Sequence, residues 1–371
     1  MNPSRRRLLG ASAAGALAGF PMIASAQTAI RWRWQGTWSA KDILHEYALD
    51  YARTVREMSG GRLRIEVLPA GAVVKPFDLI TAVHKGVLDG SHAVPAYWHD
   101  RNPAFSLFGS GPAFGMDANN FLAWMAYGGG RGLYAELLGS VMNLNVTGFL
   151  YGPMPTQPLG WFRKPVESAS QLKGLRIGTA GLALELFREM GAAAEAIPAE
   201  ERAEALARGR LDAAEFNNPT SDRSLGLADA AKICMLRSYH QPAEVFEILI
   251  NRARYDALAD DLKAIVGHAA DAASAAMSWK ALHRYSEDHE RLQREKGVEF
   301  RRTPPDVLRA QMRAWSAVVK RVSSDNPIGE KVIKSQLAWA RRTVGWTQEA
   351  TVDSRMAYDH WFGKKPGRER N

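Results

Sequence analysis

The stretch RGRLDAAEFNNPTSD, residues 208–222, contains a helix end, a short strand and a turn. Gly209 is the residue type that ends helices in a left-handed conformation, and Leu211 begins an apolar strand. Side chains alternate along a strand, so Leu211, Ala213 and Glu215 point to the same face. A carboxylate on a buried face costs free energy unless a cation or an arginine pairs with it. Glu215 is therefore predicted either to bind something or to belong to an ion pair.

The same pattern occurs earlier in the chain, as KGVLDGSHAV at residues 85–94. Each copy has a helix end, a glycine, Leu-Asp and then a strand. Around the first copy, strand patterns such as LRIEVLP (63–69) alternate with helical patterns, which is typical of an α/β layer with a largely parallel sheet. Two copies in the same structural context predict two similar lobes. The echo is short, so chance similarity stays an alternative.

The C-terminal third of the chain has a different character. Residues 255–297 form a long run of good helix formers, and further helical patterns follow up to about residue 361. We therefore expect a long helix and a layer of C-terminal helices on the two α/β lobes.

Residues 1–26 have the features of an export signal. Arg5-Arg6-Arg7 begins the stretch, a short apolar run follows, and Ala24-Ser25-Ala26 provides a cleavage site. The paired arginines favour the twin-arginine route over the general secretory route. We expect export to the periplasm.

Composition excludes several classes of function. The whole chain has 48 basic and 39 acidic residues, without a dense basic stripe that carries interleaved aromatic residues, so nucleic acid is not an expected partner. The single cysteine, Cys234, cannot form an internal disulfide or a thiolate metal cluster, and its apolar neighbours predict a buried side chain.

Four segments together resemble the periplasmic solute-binding subunits of TRAP transporters, the DctP-like family. They are GRLRIEVLPAG (61–71), KGVLDG (85–90), GWFRKPVESASQLKGLRI (160–177) and ARGRLDAAEFNNP (207–219). The pattern is most similar to the branch that binds 2-oxoacids and 2-hydroxyacids. This resemblance implies capture of a small organic acid and its delivery to the TRAP membrane permease subunits.

The resemblance also implies an α/β fold of two lobes, similar to type II periplasmic binding proteins, with mixed sheets and a long inter-lobe helix. We expect lobe 1 to comprise residues 27–152 and 243–271. Lobe 2 is expected to comprise residues 153–242 and 272–371, including the C-terminal helices.

In the 2-oxoacid branch, a glutamine and a glutamate hold a metal ion, sodium or calcium, beside the substrate carboxylate. By resemblance these are Gln157 and Glu215, and the carbonyl of Phe216 and the side chain of Gln241 complete the predicted metal site. Gln157 also has a simpler interpretation, as part of a polar hinge loop. Phe216 departs from the tryptophan that is usual in this branch, which changes the expected shape of the pocket.

Substrate contacts are predicted for Gln157, Phe216 and Asn217, although an Asn-Asn-Pro turn alone would explain Asn217. The family's carboxylate-binding arginine has no clear equivalent. An ungapped alignment places Gly178 at its position, and a shift of two residues would place Arg176 there instead.

From lobe 1, Tyr97 and Trp98 follow a strand at the place that corresponds to Glu215 in the internal echo. We predict that they close over the ligand, with burial in the core as the alternative.

Three functions remain open at this stage: a binding protein, an exported enzyme and a ligand sensor. The binding protein is favoured because the chain lacks the sequence motifs of phosphate loops, serine hydrolases, zinc proteases and thiol redox enzymes. Apolar residues of the last helix must pack against something, so a homodimer through the C-terminal helices is also expected. They are Met356, Tyr358, Trp361 and Phe362.

Overall fold

A computed structural model describes residues 28–363, so the predicted export signal at 1–26 lies outside the described residues. The strands are β1 (Ile30–Gly36), β2 (Leu63–Leu68), β3 (Gly90–Ala93), β4 (Val146–Met154), β5 (Gly160–Phe162), β6 (Arg176–Thr179), β7 (Ala193–Ala196), β8 (Ala213–Ala214), β9 (Ile233–Leu236), β10 (Glu244–Asn251) and β11 (Glu299–Arg302). The helices are α1 (Ile43–Met58), α2 (Leu79–His84), α3 (Ala118–Tyr127), α4 (Gly130–Glu136), α5 (Leu182–Glu189), α6 (Ala199–Ala207), α7 (Pro219–Ser224), α8 (Leu227–Ala230), α9 (Arg252–Asp256), α10 (Asp260–Lys296), α11 (Pro305–Asp325), α12 (Pro327–Ala350) and α13 (Ser354–Phe362).

The strands form two sheets with orders β2-β1-β3-β10-β4 and β11-β9-β5-β8-β6-β7. In the first sheet, β1 is parallel to β2 and β3, and β10 runs antiparallel between β3 and β4. The second sheet repeats this arrangement, with β6 parallel to β7 and β8, and β5 antiparallel between β8 and β9. The predicted α/β fold of two lobes with mixed sheets is confirmed.

The two copies of the repeated sequence occupy equivalent places in these sheets. The first leads into β3 and the second into β8. Gly86 and Gly209 end the preceding helices with φ of 73° and 72°, a conformation that glycine adopts without steric cost. Both stretches then continue along a strand that runs parallel to a neighbour in its own sheet, β3 beside β1 and β8 beside β6.

Helix α10 contacts both lobes, as the sequence predicted. On the first lobe, the Tyr51 hydroxyl donates to the carbonyl of Val266 (3.1 Å), and the amide of Gly152 donates to Ser274 Oγ (2.8 Å). Towards the other end, Asp288 of α10 pairs with Arg223 of α7, with Oδ1 and Nε 3.0 Å apart. The helix therefore links the lobes along its length.

The C-terminal helices divide between the lobes, which differs from the predicted assignment of all of them to lobe 2. Helix α11 packs on α5 of the second lobe. Helix α12 instead packs on the first lobe, where Gln336 Nε2 donates to the Leu107 carbonyl (2.6 Å) and Trp339 Nε1 donates to Asn120 Oδ1 (2.8 Å). Buried residues of α12 such as Val332 cover the apolar surface around Trp124, so burial decides its position.

Two further segments connect the sheets, residues 155–159 between β4 and β5 and residues 237–243 between β9 and β10. The predicted lobe boundary at 152/153 falls near the end of β4, and the one at 242/243 lies just before β10. Across residues 28–363, the model contains no helix that combines the length and the apolar character needed to cross a membrane.

Candidate functional site

The two segments that connect the sheets lie side by side. The amide of Gln157 donates to the Gln241 carbonyl (3.2 Å), and Thr156 Oγ1 donates to the Pro242 carbonyl (2.9 Å). This pairing brings the side chains of Gln157 and Gln241, two predicted site residues, into one buried cluster between the lobes.

Glu244, the first residue of β10, organises this cluster. Its carboxylate accepts hydrogen bonds from Gln157 Nε2 (2.5 Å), Gln241 Nε2 (2.9 Å) and Asn217 Nδ2 (2.8 Å). Because both glutamines direct their nitrogens to Glu244, their oxygens are left for another partner. The Oε1 atoms of Gln157 and Gln241 are buried, and neither has a hydrogen-bond partner within residues 28–363. Such atoms are costly unless a ligand satisfies them.

Glu215 follows β8 and is buried at 2% exposure. It forms an ion pair with Arg202 of α6, whose Nη1 lies 3.2 Å from Glu215 Oε1 and also donates to the Glu215 carbonyl. Arg202 Nε donates to the Ile197 carbonyl (3.1 Å). Nε and Nη1 thus hold the guanidinium from two directions, and its Nη2 group has no partner among the described residues. Of the two partners anticipated for Glu215, the structure supplies the arginine.

Phe216 and Gly178 shape the space around Arg202. The Arg202 guanidinium carbon lies 5.5 Å from the centre of the Phe216 ring, within the range of a cation–π interaction. A Cβ atom at Gly178 would lie 2.7 Å from Ile197 Cγ2 and 2.9 Å from Leu211 Cδ1. Glycine at 178 therefore allows α6 to approach the sheet closely enough for Arg202 to enter the site.

The first lobe closes the opposite wall with Trp38, Val94, Ala96 and Tyr97. The space between these walls measures about 20 Å³, comparable to what one water molecule requires. Trp98 does not contribute to this wall. Its Nε1 donates to Glu247 Oε2 (2.6 Å) in the core of the first lobe. Trp98 is therefore a core residue, which was the alternative interpretation, whereas Tyr97 lines the cleft.

Arg176 lies outside the cavity. Its side chain is 47% exposed and forms two parallel hydrogen bonds with Asp212, from Nε to Oδ2 (2.8 Å) and from Nη2 to Oδ1 (2.6 Å). As the first residue of β6, Arg176 is at the strand end that faces away from Glu215, because β6 runs parallel to β8. Arg176 is thus not among the residues that the structure brings together around Glu215, and the arginine beside Glu215 is Arg202.

Burial perturbs both carboxyl groups of the cluster. Desolvation, together with the nearby charge of Glu215, raises the pKa of Glu244 to about 8. Desolvation also raises the pKa of Glu215, although the positive charge of Arg202 opposes this effect. A cation placed between the two carboxyl groups would therefore stabilise the charged form of each.

The donor set suits a hard cation. Two carboxylates and two free amide oxygens surround one small space, and calcium and sodium prefer such oxygen ligands. Within residues 28–363, the structure has no group of three or more His, Cys, Asp or Glu side chains that could hold a metal ion. A cation here would thus depend on Gln157 and Gln241 as well as on Glu215 and Glu244.

Arg202 and Glu244 were not predicted from the sequence. Arg202 belongs to the charged helix PAEERAEALARG (198–209), in which it resembles a solvent-exposed residue. Glu244 is the first residue of the apolar strand EVFEILIN (244–251). A carboxylate at the start of so apolar a strand is the signal from which it could have been found.

Comparison with known proteins agrees with this geometry. Residues 35–325 match DctP, the bacterial extracellular solute-binding protein family 7. The chain belongs to this family. A monocarboxylate 2-oxoacid-binding periplasmic protein of Nostoc sp. is 31% identical over 236 residues, which make up 64% of this chain and 64% of that relative. The chain therefore matches just under two thirds of the length of this curated relative.

Two solved structures of TRAP periplasmic solute-binding proteins extend the likeness over most of this DctP-family chain. The protein from Colwellia psychrerythraea, with bound calcium and pyruvate, is 27% identical with a TM-score of 0.82 and covers 90% of this chain and 100% of its own. The protein from Pseudoalteromonas atlantica, with bound sodium and pyruvate, is 28% identical with a TM-score of 0.82. It covers 90% of this chain and 99% of its own.

Proposed function

We propose that this DctP-family protein captures a small 2-oxo- or 2-hydroxy-monocarboxylate together with a sodium or calcium ion and delivers it to TRAP membrane permease subunits. The observation that carries the proposal is the pair of buried, unpartnered oxygens of Gln157 and Gln241 beside Glu215. The pyruvate complexes of the two relatives support the same class of ligand.

Charge balance supports a cation at this site. Glu215 and Glu244 supply two negative charges when ionised, and Arg202 supplies one positive charge. A monocarboxylate would add a third negative charge to a buried space, which is costly without compensation. A calcium ion would neutralise the set, and so would a sodium ion with Glu244 protonated. Gln157, Gln241, Glu215 and the Phe216 carbonyl would hold the cation.

Arg202 is proposed to bind the substrate carboxylate in place of Arg176. Its Nη2 group has no partner among the described residues, and the guanidinium is held by Glu215, the Ile197 carbonyl and the Phe216 ring. A preorganised guanidinium recognises a carboxylate with little loss of conformational entropy. Asn217 and Tyr97, which also line the space, would complete the contacts.

In this arrangement the space holds about one water molecule, so binding of an acid and a cation is expected to couple to the opening and closing of the lobes. We infer that the protein acts as a receptor and does not transform its ligand, in agreement with the solute-binding role of its family. Periplasmic localisation after removal of residues 1–26 follows from the same role and from the relative named as periplasmic.

A homodimer through the C-terminal helices is proposed from the exposure of α13. Met356, Trp361 and Phe362 are each 74% exposed, and no residue of this helix is buried. Exposed aromatic residues on one short helix are typical of protein interfaces. Light scattering tests this proposal, because the mass of a single chain at micromolar concentration would contradict it.

The ligand proposal is tested by titration calorimetry with pyruvate and lactate, in buffers that contain calcium, sodium or neither after treatment with a chelator. We expect binding that requires one of the two cations. A screen of other carboxylates in the same buffers serves as the control. Lack of binding to every acid, with and without cation, would overturn the proposal.

A further inference from the structure

A second cavity lies behind the connecting segments, separate from the space at Glu215. It has a volume of about 490 Å³, within the range of small-molecule sites. Its wall is formed by both connecting segments, by α7 and by residues of α10, α11 and β11. Most of this wall is apolar, with aromatic surface from Tyr239, Tyr285 and Phe300.

One carboxyl group is buried in this apolar wall. Asp222 of α7 is 1% exposed, and its Oδ2 accepts a hydrogen bond from Trp161 Nε1 (2.8 Å). Its Oδ1 is buried and has no partner among residues 28–363. A buried carboxyl oxygen without a donor is unfavourable, so a ligand that donates to it would gain binding free energy.

We propose that this second cavity binds a small amphipathic primary amine, with the ammonium group on Asp222 Oδ1 and the apolar body against Tyr285 and Phe300. An ammonium group supplies the missing donor and the compensating charge in one group. Arg237, the other charged residue of the wall, is exposed, so solvent screens its charge.

The electrostatics of Asp222 support this assignment. Burial raises the pKa of Asp222 to about 8, so a cation placed beside this carboxyl group would favour its charged form. Asn217 also lines this cavity and donates to Glu244 on its other side. A ligand in this cavity would therefore have only Asn217 between it and the Glu244 cluster.

The experiment is calorimetry on the full chain with 2-phenylethylamine as the probe and 2-phenylethanol as its neutral counterpart, in the absence of any carboxylate ligand. We expect the amine to bind at least about tenfold more tightly than the alcohol, because its hydrogen bond to Asp222 is charge-assisted. Failure of carboxylate binding at the Glu215 site would leave this measurement unaffected, so the two proposals fail independently.

Three variants test where the amine probe binds. Asp222→Asn keeps an oxygen for Trp161 Nε1 and removes the charge, so it should fold and lose amine affinity about tenfold or more. Leu308→Trp fills the cavity and should abolish binding. Leu337→Trp, in the neighbouring apolar groove beside α11 and α12, is the matched control because Leu337 does not line the second cavity, and it should retain full affinity. Equal affinity for amine and alcohol, unchanged binding in Asp222→Asn or Leu308→Trp, or no binding by the wild-type chain would each overturn the proposal.

Discussion

Arg202 and Glu215 form an ion pair with both side chains buried, and the guanidinium Nη1 lies 3.2 Å from the carboxylate Oε1. Glu215 comes from the end of a strand and Arg202 from the helix before it, so one helix–glycine–strand unit supplies both charges. The pair holds Nη1 of the guanidinium and leaves Nη2 for a ligand. It thereby links the stability of the second lobe to the capacity to bind an anion.

Removal of the guanidinium is expected to impair both properties. Arg202→Met leaves Glu215 buried without its cation, which should lower the free energy of unfolding by about 3 kcal/mol and abolish pyruvate binding. Urea denaturation and calorimetry measure the two effects. Arg176→Met, which breaks an exposed pair, is the control and should leave both nearly unchanged. The opposite ranking of the two variants would reinstate Arg176 as the ligand-binding arginine.

Glu215→Gln keeps the shape of the side chain and removes its charge. The increase in melting temperature that calcium produces in the presence of pyruvate should be lost, because a neutral amide is a weaker ligand for a hard cation. Thermal denaturation with and without calcium measures the effect. Glu201→Gln, at an exposed position of α6, should respond like the wild-type chain. A full calcium response in Glu215→Gln would assign Glu215 a structural role.

Gly178→Ala tests the close approach of α6. The added Cβ would collide with Ile197 and Leu211, so the free energy of unfolding should fall by about 1–3 kcal/mol and Arg202 should shift. Gly132→Ala, in α4, is the control because nothing lies within 4 Å of its Cβ position. It should be neutral or stabilising. We expect a selective loss of pyruvate affinity in Gly178→Ala, and equal affinity in both variants would contradict the role assigned to Gly178.

The pH dependence of stability should reflect Glu244. Its folded-state pKa of about 8 lies above the ordinary value of 4.5, so the folded chain binds the proton more tightly than the unfolded chain. This stabilisation is complete below about pH 4.5 and is lost as the pH rises through about 8. Asp222 and Glu247, whose pKa values are also raised to about 8, contribute in the same interval, so Glu244→Gln should reduce the decline of the melting temperature by the share that belongs to Glu244. The exposed variant Glu66→Gln should not, and identical profiles in all three proteins would refute the assignment.

Gly181 tests the contact between the lobes. A Cβ at this position would lie 3.0 Å from Ala96 Cβ and 3.0 Å from Ser110 Oγ, both on the first lobe. Gly181→Leu should therefore hold the lobes apart, which would increase the radius of gyration in X-ray scattering and weaken pyruvate binding. Gly226→Leu, also at a position with positive φ but in open space, separates this effect from backbone strain. A radius of gyration for Gly181→Leu equal to that of the wild-type chain would contradict this role.

The repeated Gly-x-Leu-Asp stretch predicted two similar lobes, because Gly86 and Gly209 end helices at equivalent points of the two sheets, and the resemblance to the DctP-like family supplied the two-lobe fold. Gln157, Glu215, Phe216, Asn217 and Gln241 were also anticipated, and the structure brings them to one place. Arg202 was not anticipated, because the charged residues around it in the helical sequence predict a solvent-exposed side chain. The lobe to which α12 belongs is set by long-range packing on residues such as Trp124, which no local pattern reports.

The small space of about 20 Å³ beside Glu215 has a kinetic consequence. In this arrangement the space is too small to hold an organic acid, so the lobes must separate before one can enter. The residence time of a captured acid is then set by how often the protein opens, rather than by the strength of each contact. A membrane partner that favours the open form would therefore act as a catalyst of release.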